Sequence, residues 1–107
     1  MRSHSCPATS EITPERVFHA LSDPVRLEIV RDLARLGAAT CAEVTYDRPK
    51  SSMSHHFKVL REAGLVHSRG EGVHLINSLR REDLDERFPG LLDAVLGAIG
   101  TTDQDAS

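Results

Sequence analysis

Polar and apolar positions between residues 50 and 65 repeat with a helical period. Met53, Phe57 and Leu60 recur at i, i+4 and i+7, within an arc of about 60° at ~100° per residue. Ser51, His55 and Lys58 point the opposite way, with Ser52 and Ser54 on the flanks. Gly64 ends the run and can adopt the left-handed conformation that closes a helix, Leu65 packing back beyond it. Three starts fit this helix: a hydroxyl cap from Ser51 or from Ser52, or Pro49 as a first-turn proline. Next come Val66-His67-Ser68-Arg69 and Val73-His74-Leu75-Ile76-Asn77, two strand-capable runs around Gly70-Glu71-Gly72, which predict a hairpin. Upstream, Thr40 followed three residues later by Glu43 is a capping box for a short helix over about residues 41–46, which the run 47–50 breaks.

The flanking segments supply a scaffold. Thr13-Pro14 opens a first helix expected to bury Val17, Phe18 and Leu21, and Asp23-Pro24 opens a second. The inner stripe of that second helix is Ile29, Val30, Leu33 and Leu36, and Gly37 ends it. Glu82 and Asp83 favour the start of a last helix with a wide apolar stripe of Leu84, Phe88, Leu91, Leu92, Val95, Leu96 and Ile99. Pro89-Gly90 should kink or restart it. The fold class this predicts is mainly α with a β-hairpin wing: a winged helix-turn-helix of about five helices and two strands, spanning residues 11–100. Residues 1–10 and 101–107 are polar and small, and are expected to form a disordered arm and tail.

At 107 residues the chain makes one domain with a modest core, which dimerisation would help to stabilise. Tyr46, Phe18, Phe57 and Phe88 are its only aromatics, so the core is aliphatic. No run approaches the ~18 apolar residues of a membrane span, and the N-terminus has no apolar signal segment. A cytoplasmic location without a membrane partner follows, with both cysteines reduced at rest.

The net charge of −3 is unevenly spread. Residues 1–47 carry five arginines against seven acids, and residues 82–107 carry Arg87 alone against seven. Residues 48–81 hold seven cations against Glu62 and Glu71, a local +5 on the helix and hairpin. Phosphate contacts and counterion release supply much of the affinity of a DNA-binding protein, so this segment points to DNA. The acidic end should face away from it.

The run ALSDPVRLEIVRDLARLG at residues 20–37, then SSMSHHFKVLREAGLV at 51–66 and the hairpin, is similar to the ArsR/SmtB family of bacterial transcriptional regulators. The likeness covers about residues 17–79 and rests on the order and spacing of several motifs. It implies a homodimeric winged-helix repressor that releases operator DNA when an inducer binds. It also implies that the helix near Ser51 is the recognition helix and that residues 70–72 form the wing tip. Ser51, Ser52, Ser54 and His55 are then the candidates for the major groove, and Lys58, Arg61 and Arg69 for phosphates. A dimer would read two half-sites of an inverted repeat. The resemblance places the terminal helix and the first helix at the dimer contact, with Phe18, Leu84, Phe88, Leu91, Leu92, Val95, Leu96 and Ile99 as its apolar residues. Arg26, in the family-like DPVR run, is read as a phosphate contact or as the partner of a nearby acid.

Metal-sensing members commonly carry a Cys-x-Cys pair before the recognition helix. Those positions are Thr40 and Ala42 here, with Cys41 between them. The family's terminal-helix site needs histidine, and none follows His74. Cys6, His4 and Cys41 remain as a possible soft-metal set. Alternatively Cys41, activated by its place in a first helical turn, senses redox state alone or with Cys6. In the plainest reading Cys41 is a small packed residue and Cys6 a tail thiol, with no cofactor required and the inducer unknown. His56 is expected to pack partly buried, and His19, His67 and His74 have no partner at ligand spacing. No G-x-S-x-G, H-E-x-x-H or glycine-rich phosphate loop is present, which argues against an enzyme. The competing function is a protein–protein interaction module that turns the same basic helix toward an acidic partner.

Overall fold

The computed structural model describes residues 7–45 and 48–100. Its helices are α1 (Pro14–Ala20), α2 (Pro24–Leu36), α3 (Cys41–Thr45), α4 (Lys50–Ala63), α5 (Arg81–Arg87) and α6 (Leu91–Ile99). The strands are β1 (Ala39–Thr40), β2 (Val66–Glu71) and β3 (His74–Leu79), in an antiparallel sheet of order β1-β3-β2. The winged helix-turn-helix expected from the sequence is therefore present, with one helix and one strand more than expected. The extra helix arises because Phe88 to Gly90 break the terminal segment, Gly90 lying at φ 84°. The extra strand is β1, whose two residues pair with Asn77 and Ile76.

Local chemistry sets most of the boundaries. The Thr13 hydroxyl accepts the Arg16 N–H at 3.3 Å, and the Asp23 carboxylate accepts those of Val25 and Arg26 at 2.7 and 3.2 Å. Each thereby satisfies N–H groups that a helix start leaves unpaired. At α3 the capping box is reciprocal: Thr40 N–H donates to Glu43 Oε1 at 2.7 Å, and Glu43 N–H to Thr40 Oγ1 at 3.3 Å. The start of α4 differs from expectation. Pro49 is the capping residue and no side chain caps the helix, because Ser51 and Ser52 already lie inside its first turn. Gly64 closes α4 at φ 87°, and the Leu65 N–H donates to the Leu60 carbonyl at 3.0 Å.

In the wing, the strand register pairs Glu71 with His74, so the turn is Gly72-Val73 and the tip lies further out than residues 70–72. Gly72 at φ 64° supplies the positive dihedral that a two-residue hairpin turn demands.

Ile12, Val17, Ile29, Val30, Leu33, Met53, Phe57, Leu60, Leu65, Val66 and Leu84 form the centre of one core. Phe18 and Leu36, expected inside, are exposed at 56% and 46%. Phe18 is turned about 100° from Val17 on a helix too short to bury two faces, and Leu36 is the last residue of α2. Leu84, Leu92 and Leu96, expected at a dimer contact, are buried in the core of the single chain instead. Residues 7–10, expected in a disordered arm, are packed onto α5. Thr9 Oγ1 donates to Asp83 at 2.7 Å, and Arg80 donates to the Pro7 carbonyl at 2.8 Å. The rest of the expected arm and tail, residues 1–6 and 101–107, lies outside the described residues.

Candidate nucleic-acid interface

The polar face of α4 is built by burying the other one. Met53, Phe57, Leu60 and Ala63 are in the core, whereas Ser51, Ser52, Ser54, His55 and Lys58 are exposed. Ser51, Ser54, His55 and Lys58 share the outward face. Ser52 lies on the flank toward α1, about 180° from Arg61 at ~100° per residue. Arg61 is half-buried on the flank toward the wing. Arg69 is exposed on β2 with its guanidinium 3.6 Å from the Glu71 carboxylate, so a phosphate there competes with a neighbouring acid. The structure thus places all seven predicted DNA-contacting residues at or near the surface, on α4 and the wing.

Arg26 fixes the other side of α4. It is 7% exposed, and its Nε donates to the Ala20 carbonyl at 2.7 Å. Its Nη2 donates to the His19 carbonyl at 3.4 Å, and its Nη1 meets His56 Nδ1 at 3.1 Å. Carbonyl oxygens and an imidazole take the guanidinium donors of Arg26, and its link to a nearby acid is the action of its charge on Asp23 rather than an ion pair. A guanidinium only donates, so Nδ1 of His56 accepts and the proton of the neutral ring is on Nε2. Burial pushes the His56 pKa down and the Arg26 charge adds to this, while Asp23 opposes it. Asp23 in turn is held below the usual carboxylate range. Burial works against that, but the N–H groups of Arg26 and Val25 and the Arg26 charge outweigh it.

The wing has its own polar fastening. Ser68 Oγ donates to Asn77 Oδ1 at 2.5 Å, and Asn77 Nδ2 donates to the Ala39 carbonyl at 3.2 Å, all of it buried. Val73, at the turn, is 95% exposed. Lys50, His74 and Val73 lie beside this surface in addition to the seven residues expected there. The only sign of Lys50 was its place in the short basic run Arg48-Pro49-Lys50.

Cys41 is half-buried beside this surface. Burial pushes its thiol pKa up, against the pull of Arg61 and Lys50. That direction is opposite to the one the redox reading of Cys41 requires. Cys6 and His4 lie outside the described residues. Among the described residues no group of three or more His, Cys, Asp or Glu is placed to hold a metal ion.

A helix-turn-helix domain family matches residues 21–69 of the chain. An uncharacterised HTH-type transcriptional regulator of Bacillus subtilis, YceK, is 39% identical over 75% of this chain and 83% of its own length. The arsenical resistance operon repressor of the same organism is 32% identical over 79% of each chain. The chain belongs to the ArsR family. A crystal structure titled as an ArsR family transcriptional regulator has the same fold, with a TM-score of 0.62 at 24% identity over 79% of this chain and 89% of that one. The ArsR-family protein described here is accordingly a DNA-binding transcriptional regulator and not an enzyme. Among its described residues no helix is long and apolar enough to cross a membrane.

Proposed function

We propose that this regulator is a homodimeric repressor that binds an inverted-repeat operator and leaves it when an inducer binds. The exposed face of α4 carries the reading: short hydroxyls, an imidazole and a lysine on a helix whose opposite face is locked in the core. Ser51, Ser54 and His55 suit base edges, with Ser52 beside them, while Lys58, Arg61 and Arg69 suit phosphates. Two copies would place their recognition helices about one turn of DNA apart, or a multiple of it. The dimer surface is drawn from Phe18 of α1 with Phe88, Leu91, Val95 and Ile99 near α5 and α6. These apolar side chains are exposed or only half-buried in the single chain. No cofactor is needed for this binding. Burial raises the thiol pKa of Cys41, which works against a resting thiolate.

Binding to the duplex upstream of its own gene, compared with a random duplex over a range of salt, tests the reading. The expected result is tighter binding to the first, weakening steeply with salt. Equal binding to both would sink it in favour of a module that offers the same basic helix to an acidic protein.

A further inference from the structure

On the flank of α4 away from the wing, α1 and the last turns of α4 enclose an open cleft of about 270 Å³. Arg16 and His19 line it from α1, and Val59, Glu62 and Ala63 from α4. Spacings of three and four residues put each set on one side of its helix. Ala63 is buried and Val59 half-buried, so the floor is aliphatic, and the polar groups stand around it. Arg16 and His19 hydrogen-bond through backbone atoms, the first to Thr13 and the second to Ser22 and Arg26. Among the described residues neither Arg16 nor Glu62 forms an ion pair, although they line the same space with opposite charges. The Glu62 carboxylate makes the cleft a poor seat for DNA phosphate, and it lies roughly 11 Å along the helix axis from Ser54 and His55. Pockets for drug-sized ligands start at about 300 Å³, so this cleft suits a smaller molecule. A guanidinium and an imidazole opposite a carboxylate match a ligand that carries both a carboxylate and an ammonium group.

We propose that this cleft binds a free α-amino acid that acts as the inducer. Its carboxylate accepts from Arg16 and His19, its ammonium donates to Glu62, and its side chain lies over Val59 and Ala63. The proposal rests on the repressor reading above and gives the inducer a chemical class. A route from the cleft to α4 is present. The His19 carbonyl accepts from Ser22 Oγ at 2.6 Å and from Arg26 Nη2 at 3.4 Å, and Nη1 of the same guanidinium meets His56 Nδ1 at 3.1 Å. A ligand that draws Arg16 and Glu62 together therefore changes the packing of α1 on α4 where Arg26 sets it. DNA is released because the amino acid binds the repacked form more tightly than the DNA-bound one.

The test uses the full chain and the standard L-amino acids in turn, then the amide and N-acetyl forms of any that binds. The amino acid should shift the Arg16 Nε–H and His19 ring resonances. Its amide, which lacks the carboxylate, and its N-acetyl form, which lacks the ammonium, should not. Arg16→Gln and Glu62→Gln should each weaken its binding about ten- to a hundredfold. Both variants should stay folded, since neither side chain is buried. At saturation the amino acid should lower the affinity for the promoter duplex by about five- to a hundredfold, and that duplex should lower the amino acid's affinity by the same factor. Preference for the promoter duplex over a random one, with no amino acid moving either resonance, overturns the site and leaves the repressor reading standing. Shifts shared by the amide or the N-acetyl form overturn the assignment to an amino acid, and binding that leaves duplex affinity unchanged overturns the inducer role. Equal affinity for both duplexes, with the two resonances shifted by an amino acid, overturns operator specificity and leaves the site standing.

Discussion

Arg26 of α2 and His56 of α4, 30 residues apart in the chain, meet with Nη1 and Nδ1 separated by 3.1 Å. The same guanidinium closes the end of α1 through the Ala20 carbonyl. Three helices therefore share one buried cation, and α4 is oriented by a hydrogen bond on the side away from its exposed polar face.

That bond requires a neutral imidazole, and the His56 pKa lies below the ordinary value of 6.5. Folded His56 takes up a proton less readily than unfolded His56, so acidification favours the unfolded chain. Its contribution to stability is complete above about pH 6.5 and declines as pH falls through that value toward the lower folded pKa. His56→Gln keeps an acceptor for Arg26 and removes the titration. Urea melts between about pH 7.5 and 5 should show the parent losing stability faster than the variant. Parallel curves would remove His56 from the acid response.

Arg26→Met should cost about 2–3 kcal/mol, because it leaves the Ala20 carbonyl and the His56 nitrogen without a donor. In a cycle with His56→Phe the two losses should fall short of additive by ~1 kcal/mol, since each removes part of the same interaction. Strict additivity in the urea midpoints would mean that the contact carries no energy of its own.

Gly64 is constrained twice. Its φ of 87° disfavours any side chain, and an added Cβ would lie 2.6 Å from Cγ1 of buried Ile12. Gly64→Ala should therefore destabilise by at least ~2 kcal/mol. Gly70→Ala, where a Cβ meets nothing within 4 Å, should stay within about 0.5 kcal/mol. Thermal melts of the pair check this, and equal melting temperatures would contradict it.

On α4 the roles should separate by residue. Lys58→Ala is expected to weaken operator and random duplexes alike and to reduce the salt slope by about 1. Ser54→Ala should change which operator bases are preferred and leave the salt slope alone. Fluorescence anisotropy with single-base operator variants distinguishes the two. A Ser54→Ala protein with an unchanged base profile would take Ser54 off the reading face.

Phe18 and Leu92 should respond in opposite ways to a charge. Phe18 is more than half exposed and Leu92 is buried in the core. Phe18→Glu should give a folded chain of monomer mass in sedimentation, while Leu92→Glu should fail to fold. A stable dimer of Phe18→Glu would move the interface elsewhere.

What the sequence disclosed follows from how far each interaction reaches along the chain. Thr13-Pro14, Asp23-Pro24, the Thr40–Glu43 box and Gly64 act within a few residues, and each set its boundary as read. The apolar arc of Met53, Phe57 and Leu60 likewise sufficed to orient α4. β1 was missed because two residues show no alternation and become a strand only by pairing with Ile76 and Asn77. Arg26 and His56 were read singly because nothing local indicates a partner 30 residues away. The last apolar stripe reads as a dimer contact, yet the chain's own core includes Leu84, Leu92 and Leu96. Periodicity finds a buried face without saying whose atoms bury it.

β1 reaches β3 only at Ile76 and Asn77, so the sheet is three strands wide at its root and two strands wide over the outer pairs Gly70–Leu75 and Glu71–His74. The wing is thus a cantilever, clamped by the Asn77 amide and compliant toward Val73. Its root is braced by a third strand, and the outer ribbon, which contains Gly70, lacks that brace. Such a lever can follow DNA grooves of different width at its tip without disturbing the helix that reads the bases.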